Sequence, residues 1–403
     1  MFGYSEKKLA KDIGKITKRM DSDFHATYSP ETRTVDINRV SDVDAPPYSL
    51  FLGNLFLKVR DMDRKGREST LKTFVTDVIY PRELTADELL ASMALRTRTP
   101  FDLNLRRQLL LSREEPPEPV IFGEGDLLLE LVADSAESVS TISTDKLSEL
   151  SISREQAYKT AVARLVRATL DPQWRIAAEN IWASVYEDDY DFARLIAEKD
   201  HVKLPFDGPA IAFSPSHTIC LVTNRSDDET LSQMVEIGDQ LSESHRPFSQ
   251  LLWTKSENCA WKPLTTPDGT DGSKIAILQS IRERISQYAD QKVVLESRLS
   301  RLGEDSFVAT YEVFERPDGF RSICTYTLHL PSYLPEADEV ALVDLDGVRD
   351  SPLLGMVTWD DFSSTLGPST LIQLSDYVPV RYDLTTRLTK DQEDTLRNLV
   401  KAL

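Results

Sequence analysis

The run Glu114-Glu115-Pro116-Pro117-Glu118-Pro119 constrains the fold of this chain more than any other segment. Proline fixes its own φ, lacks an N–H and bars the residue before it from the helical region, so no helix continues through these positions. The run is read as a linker between a helix-rich stretch and one in which strands and helices alternate. At 403 residues the chain exceeds what one hydrophobic core usually organises, and two or three domains are expected.

The first, residues 1–115, reads as a mostly helical N-terminal lobe. A helix over 5–20 leads into a hairpin-like pair, 24–28 and 34–37, joined through Ser29-Pro30-Glu31. After Pro46-Pro47, the residues Leu52, Leu55, Phe56 and Val59 recur at helical spacing within 48–60, and another helix follows towards Tyr80. Thr85 with Glu88 makes a capping box before Leu89, Leu90 and Met93.

The second, residues 116–262, reads as a mixed α/β middle domain. Strands over 120–122 and 127–132 flank the turn Gly123-Glu124-Gly125-Asp126, which lacks the lysine and third glycine of a phosphate loop. Ser153 with Gln156 and Ser226 with Glu229 are read as helix caps. Between them lie a strand at 181–185, a helix from Phe192, and strands at 210–213 and 218–223. The third, residues 263–403, opens with a turn-rich segment at 265–273 and a helix over 274–301 striped by Ile275, Leu278, Ile281, Ile285, Val293 and Leu299. Strands at 307–313, 322–330, 340–343 and 354–358 follow, and a helix capped by Thr389 and Gln392 closes the domain. The fold class is therefore α+β: helical lobe, mixed α/β middle, strand-rich C-terminal domain closed by a helix.

A net charge of -19 repels phosphate backbones, so nucleic-acid binding is not expected. The exception is the first helix, whose Lys7, Lys11, Lys15 and Lys18 line one face beside Lys8 and Arg19; the face is read as solvated, or as a contact for an acidic partner. Three widely spaced cysteines, Cys220, Cys259 and Cys324, fit a reducing compartment. Charge from Glu6 onward interrupts any signal-peptide core, and no apolar run approaches the ~20 residues that span a bilayer. A cytoplasmic protein without membrane insertion is expected.

The densest polar chemistry lies between Tyr186 and Thr223. Glu187, Asp188, Asp189 and Asp191 precede a helix, where the positive end of the macrodipole favours acidic residues; this outranks a cation site, and no metal or cofactor is expected. Ser214, Ser216 and His217 are the one local Ser/His cluster, with Asp188 or Asp189 available to orient the imidazole and Arg194 to hold an anion. Arg96, Arg98, Arg106 and Arg107 are expected to pair within the chain, with Glu114 and Glu115. Asp344-Leu345-Asp346-Gly347 and Asp268-Gly269-Thr270-Asp271-Gly272 read as turns.

Four segments carry a family resemblance. They are 48–55 with its Leu52-Gly53-Asn54-Leu55, 125–134 followed by Val139 and the 147–161 helix, Asp188-Asp189-Tyr190-Asp191-Phe192-Ala193-Arg194-Leu195, and 214–222. In that order, across roughly 48–262, the chain resembles the bacterial YtpQ-like family of uncharacterised proteins, departing from it at His217 and beyond residue 265. The family has no assigned activity, so the resemblance implies a grouping and supplies no catalytic residues.

The expectation is a non-enzymatic protein-interaction or scaffold component of a bacterial assembly, with a protein partner. The alternatives are a hydrolase or transferase around Asp188, Asp189, Arg194 and His217, with Ser214 and Ser216 in the binding set, and a small-ligand sensor.

Overall fold

A computed structural model describes residues 4–30, 33–41, 48–80, 83–110, 117–134, 139–168, 173–186, 188–197, 203–242, 248–255, 261–264, 273–317, 319–345 and 352–400. Glu114, Glu115 and Pro116 of the linker, Cys259, the turn at 265–272, and Asp346-Gly347 lie outside the described residues. The fold is α+β, with twelve helices and twenty-one strands among the described residues. Backbone contacts group the chain into two units, Met1–Pro100 with Leu111–Ser280, and Phe101–Leu110 with Ile281–Leu403.

In the first unit, α1 (Glu6–Met20) is capped by the Ser5 hydroxyl and buries Leu9, Ile13 and Ile16. It covers an antiparallel sheet of β1 (Phe24–Ser29), β2 (Thr34–Arg39) and β3 (Tyr48–Phe51), sharing a core with α2 (Leu52–Val59) and α3 (Arg64–Ile79). Residues 48–60 are thus not one helix. The first four pair with β2 from Ile37↔Tyr48 to Thr34↔Phe51, and this ladder satisfies backbone groups that a helix would otherwise claim.

Helix α4 (Ala86–Ser92) carries the expected Thr85/Glu88 capping box but stops before Met93. Met93 instead opens β4 (Met93–Arg98), whose six residues all pair with β6. After α5 (Pro100–Leu110) come β5 (Ile121–Phe122), β6 (Leu128–Asp134) and β7 (Val139–Thr141), with β6 central to the sheet. Two helices follow, α6 (Thr144–Glu149) and α7 (Arg154–Arg167). The Ser153 hydroxyl caps α7, and Ala157, Ala161, Val162 and Leu165 bury its inner face.

The largest sheet comes next in the chain. Its elements are β8 (Trp174–Ala178), β9 (Ile181–Ser184), α8 (Asp191–Ala197), β10 (Ile211–Ser216), β11 (Ile219–Thr223), α9 (Asp228–Ser242), β12 (Leu252–Lys255) and β13 (Trp261–Pro263). Six antiparallel strands run in the order β13-β12-β10-β11-β9-β8. Side chains alternate between the faces of a strand, and here both faces are covered. Ile181, Ala183, Ile211, Phe213, Ile219 and Leu221 pack with Leu231, Met234 and Val235 of α9. Ala212, Cys220, Val222 and Trp253 pack with Phe192 and Leu195 of α8. The cap of α9 is not Ser226 with Glu229: the Asp227 carboxylate accepts from the Thr230 N–H and hydroxyl, both at 2.9 Å, one residue later than expected.

The second unit contains α5 and most of α10 (Lys274–Leu302). It continues through β14 (Phe307–Val308), β15 (Glu312–Arg316), β16 (Gly319–Thr327), β17 (Ser332–Pro335), β18 (Glu339–Val343), β19 (Leu353–Thr358), α11 (Trp359–Leu366), β20 (Ile372–Leu374), β21 (Arg381–Leu384) and α12 (Lys390–Leu399). Two four-stranded sheets result, β14-β17-β21-β20 and β15-β16-β18-β19. Residues 307–313 are therefore not one strand: β14 pairs with β17 while β15 pairs with β16 in the other sheet. The Thr389/Gln392 capping box starts α12, which buries Leu396. On α10, Leu299 of the expected stripe is buried but Ile285 and Val293 are exposed, and Glu283, Tyr288, Gln291, Val294 and Leu295 are buried as well. Gln291 turns inward to receive Arg381 Nε on its side-chain oxygen, and the buried Tyr288 ring donates its hydroxyl to the Val380 carbonyl at 2.9 Å while its backbone carbonyl accepts from Arg381 Nη2.

Candidate functional site

Ahead of α8, Asp188 is bonded to Arg194, while Glu187 lies outside the described residues. Asp188 accepts from both terminal nitrogens of that guanidinium, each at 2.7 Å, and from the Tyr190 N–H at 3.0 Å. The carboxylate therefore satisfies a backbone donor at the start of a short helix and holds a cation through a two-pronged ion pair. The Tyr186 ring lies 3.9 Å from the guanidinium carbon of Arg194 and closes its other side. Arg194 is buried, and both terminal nitrogens are engaged, so it is built into the helix start rather than presented as a free anion clamp.

Asp191, the first residue of α8, faces the sheet beneath. It accepts from the Ser184 hydroxyl on β9 and lies 3.5 Å from Arg194 Nη1, with 3 % of its surface exposed. Burial pushes its carboxyl up to about 8, and the neighbouring Asp188 adds to the rise; the Ser184 hydrogen bond and Arg194 oppose it. Across the ladder, Leu221 pairs with Ala183 and Val222 with Trp182, which sets Cys220 opposite Ser184 on the same face. Burial, then the Asp191 charge, raise the Cys220 thiol well above its ordinary range, leaving it a neutral core group. At the far end of α8, Trp261 Nε1 donates to the Leu195 carbonyl at 3.3 Å and the Tyr158 hydroxyl to the Ala197 carbonyl at 3.1 Å.

Asp189 serves different neighbours from Asp188. Its charge bears on Tyr190, whose hydroxyl burial raises above its usual range, and on Arg96, which burial and the nearby Arg98 lower. Arg96 belongs to a buried network that pairs within the chain, as expected of it, but with another acid. Arg96 Nη2 and Arg98 Nε donate to Glu130 Oε2 at 3.0 and 2.8 Å, and the Thr141 hydroxyl donates to Oε1 at 2.6 Å. Strand register places Arg96 directly opposite Glu130. The sequence held a signal for this: a single carboxylate inside the apolar run 127–132, and two arginines at the two-residue strand period.

Ser214 and Ser216 are fully buried in the irregular end of β10, where the register shifts between Phe213 and Ser216. The Ser214 hydroxyl donates towards the carbonyls of Ser216 and Ile219 at 2.9 and 2.7 Å, and Ser216 Oγ lies 3.3 Å from Thr218 Oγ1. These hydroxyls satisfy the tight turn itself. His217 sits in that turn, buried, its ring centroid 4.8 Å from that of Phe248, which in turn packs edge-on to Phe192 of α8. The imidazole thus reaches α8 through two aromatic rings. Lys7, Lys11, Lys15 and Lys18 form the exposed face of α1, with Lys15 paired to Asp12 at 3.2 Å.

Among the described residues no group of three or more His, Cys, Asp or Glu side chains is placed to hold a metal ion. Nor is any helix among them long and apolar enough to cross a membrane. Comparisons with protein-family models, curated proteins and solved structures gave no match.

Proposed function

We propose that this chain is a non-enzymatic binding component of a bacterial cytoplasmic assembly, and that it takes an extended segment of a partner protein along β8. One observation carries the reading. Strand β8 ends the six-stranded sheet, pairs only with β9 among the described residues, and holds Ile176 with 78 % of its surface exposed. A strand edge offers a row of N–H and C=O groups to an added strand, and an exposed side chain of this size supplies the apolar anchor such docking uses. The polar groups around α8 support the same reading, since Arg194, Asp188, Asp191 and Ser184 are bonded to one another. The exposed lysine face of α1 suits an acidic region of a partner.

The test is parallel affinity purification of tagged wild-type protein and the Ile176→Asp variant from the native host at moderate salt, with mass spectrometry of what accompanies each. A stoichiometric partner recovered with the wild type and lost from a variant that melts at the same temperature is the expected result. Recovery of the wild type alone, or equal retention of the partner by the variant, overturns it.

A further inference from the structure

We propose that a second copy of this chain pairs with it along β15, two-fold and antiparallel about Phe314. This surface is separate from β8 and lies in the other unit. Strand β15 ends its four-stranded sheet and pairs with β16 alone among the described residues. Val313 packs against the C-terminal core, so the alternation of a strand turns Glu312, Phe314 and Arg316 to the outer face. Glu312 is exposed, and Phe314 keeps 48 % of its surface in solvent although a ring of that size usually finds cover.

The five residues Glu312-Val313-Phe314-Glu315-Arg316 are complementary to their own reverse. Set antiparallel about a two-fold axis at Phe314, Glu312 of each copy falls opposite Arg316 of the other, and Phe314 falls opposite Phe314. Directly opposed residues in such a ladder bring their Cβ atoms within about 4.5–5.5 Å, close enough for both ion pairs and for ring contact. The alternate positions set Val313 opposite Glu315, so no like charges meet. Arg316 already accommodates one carboxylate: its Nη2 and Nη1 donate to Glu339 at 2.8 and 3.3 Å on β18, across β16. That pair shows the side chain lying on the outer face, where its charge suits a carboxylate. A two-fold contact uses the same patch twice, and here one strand supplies both signs of charge to it. The four-stranded sheet becomes one continuous sheet across both copies. Each chain carries -19, so overall repulsion opposes association and the local charge pairs set the register.

Sedimentation velocity of the full chain over a concentration series tests this, with Glu312→Arg and Arg316→Glu made singly and their folding checked by circular dichroism. The wild type is expected to dimerise. Each single variant places like charges opposite each other twice and is expected to be monomeric at the same concentrations. Mixing the two single variants restores opposite charges at both positions, so the mixture is expected to dimerise although neither component does. A wild type that stays monomeric throughout overturns the proposal, as does a dimer that both single variants retain. A mixture that remains monomeric while each component is folded overturns it as well.

Discussion

Arg98 Nε donates to Glu130 Oε2 at 2.8 Å, and the carboxylate receiving it has no solvent-exposed surface. Arg96 shares the same oxygen, so one buried acid compensates two buried guanidinium groups. Removing one member of a buried ion pair leaves charge without compensation, at a cost of about 3–5 kcal/mol. Glu130→Ala should lower the stability of the first unit by that amount in urea unfolding, and Glu130→Gln by less. Replacing the whole set, as in Arg96→Met with Arg98→Met and Glu130→Leu, should cost far less than Glu130→Ala. A triple variant as unstable as the single one would show that the ionic network is not where the energy lies.

Asp191 gives stability a pH dependence of definite sign. Its folded value of about 8 stands above the ordinary 3.8, so between those limits the folded state holds a proton that the unfolded state has released. This contribution is complete below about pH 4 and is lost as pH rises towards 8, at up to about 1.4 kcal/mol per pH unit. The groups facing the carboxyl are Ser184 on β9, Asp188 and Arg194 around α8, and Cys220 on β11. Asp191→Asn cannot ionise, so its stability relative to wild type should improve steadily as the pH is raised. Parallel urea midpoints for the two proteins between about pH 5 and 8 would mean that Asp191 is already charged in the fold.

Arg381 is fully buried and is held by neutral oxygens rather than by a carboxylate. Its nitrogens donate to Gln291 Oε1 at 2.9 Å and to the carbonyls of Tyr288, Ala309 and Tyr333 at 2.9, 3.2 and 3.4 Å. Burial lowers its pKa to about 10, which leaves it charged at neutral pH. Arg381→Met keeps the apolar stem but abandons the side-chain oxygen and the carbonyls, each at about 1–3 kcal/mol when buried without a partner. Unfolding of the second unit should move to markedly lower denaturant. Arg381→Lys should rescue little, because one ammonium cannot span acceptors arranged for a planar fork. A lysine variant as stable as the wild type would refute that geometric account.

What the sequence revealed was mostly local. The Thr85/Glu88 and Thr389/Gln392 boxes lie within one helical turn, so four residues carry the whole signal. Met93 deceived the period because it follows Leu89 and Leu90 at helical spacing, while its strand pairing is made with Ala133, 40 residues on. The site behaved alike. Asp188 and Arg194 were legible as a charged cluster around a helix start, yet their mutual bonding, the inward turn of Asp191 to Ser184, and the Arg96–Glu130 pair depend on which strands become neighbours. The α10 stripe held at Leu299 but not at Ile285 or Val293, and the buried Gln291 it missed is decided by where Arg381 sits.

Gly238 is a position where helix propensity and packing point in opposite directions. It lies inside α9, where alanine is intrinsically favoured over glycine by about 1 kcal/mol. A Cβ there would stand 2.5 Å from Phe213 Cε1, 2.7 Å from Phe213 Cδ1 and 3.2 Å from Pro215 Cγ. Phe213 is fully buried on β10 between neighbours of the same core, so its ring cannot swing aside into solvent. Overpacking of a filled core costs about 1–3 kcal/mol, more than the propensity returns. Gly238→Ala should therefore destabilise the first unit, and Phe213→Leu should make the glycine change cheaper by opening space beneath α9. The measurement is a double-mutant cycle in urea, in which favourable coupling between the two substitutions is expected. Additive effects, or a Gly238→Ala variant more stable than wild type, would mean that α9 and β10 do not approach each other this closely.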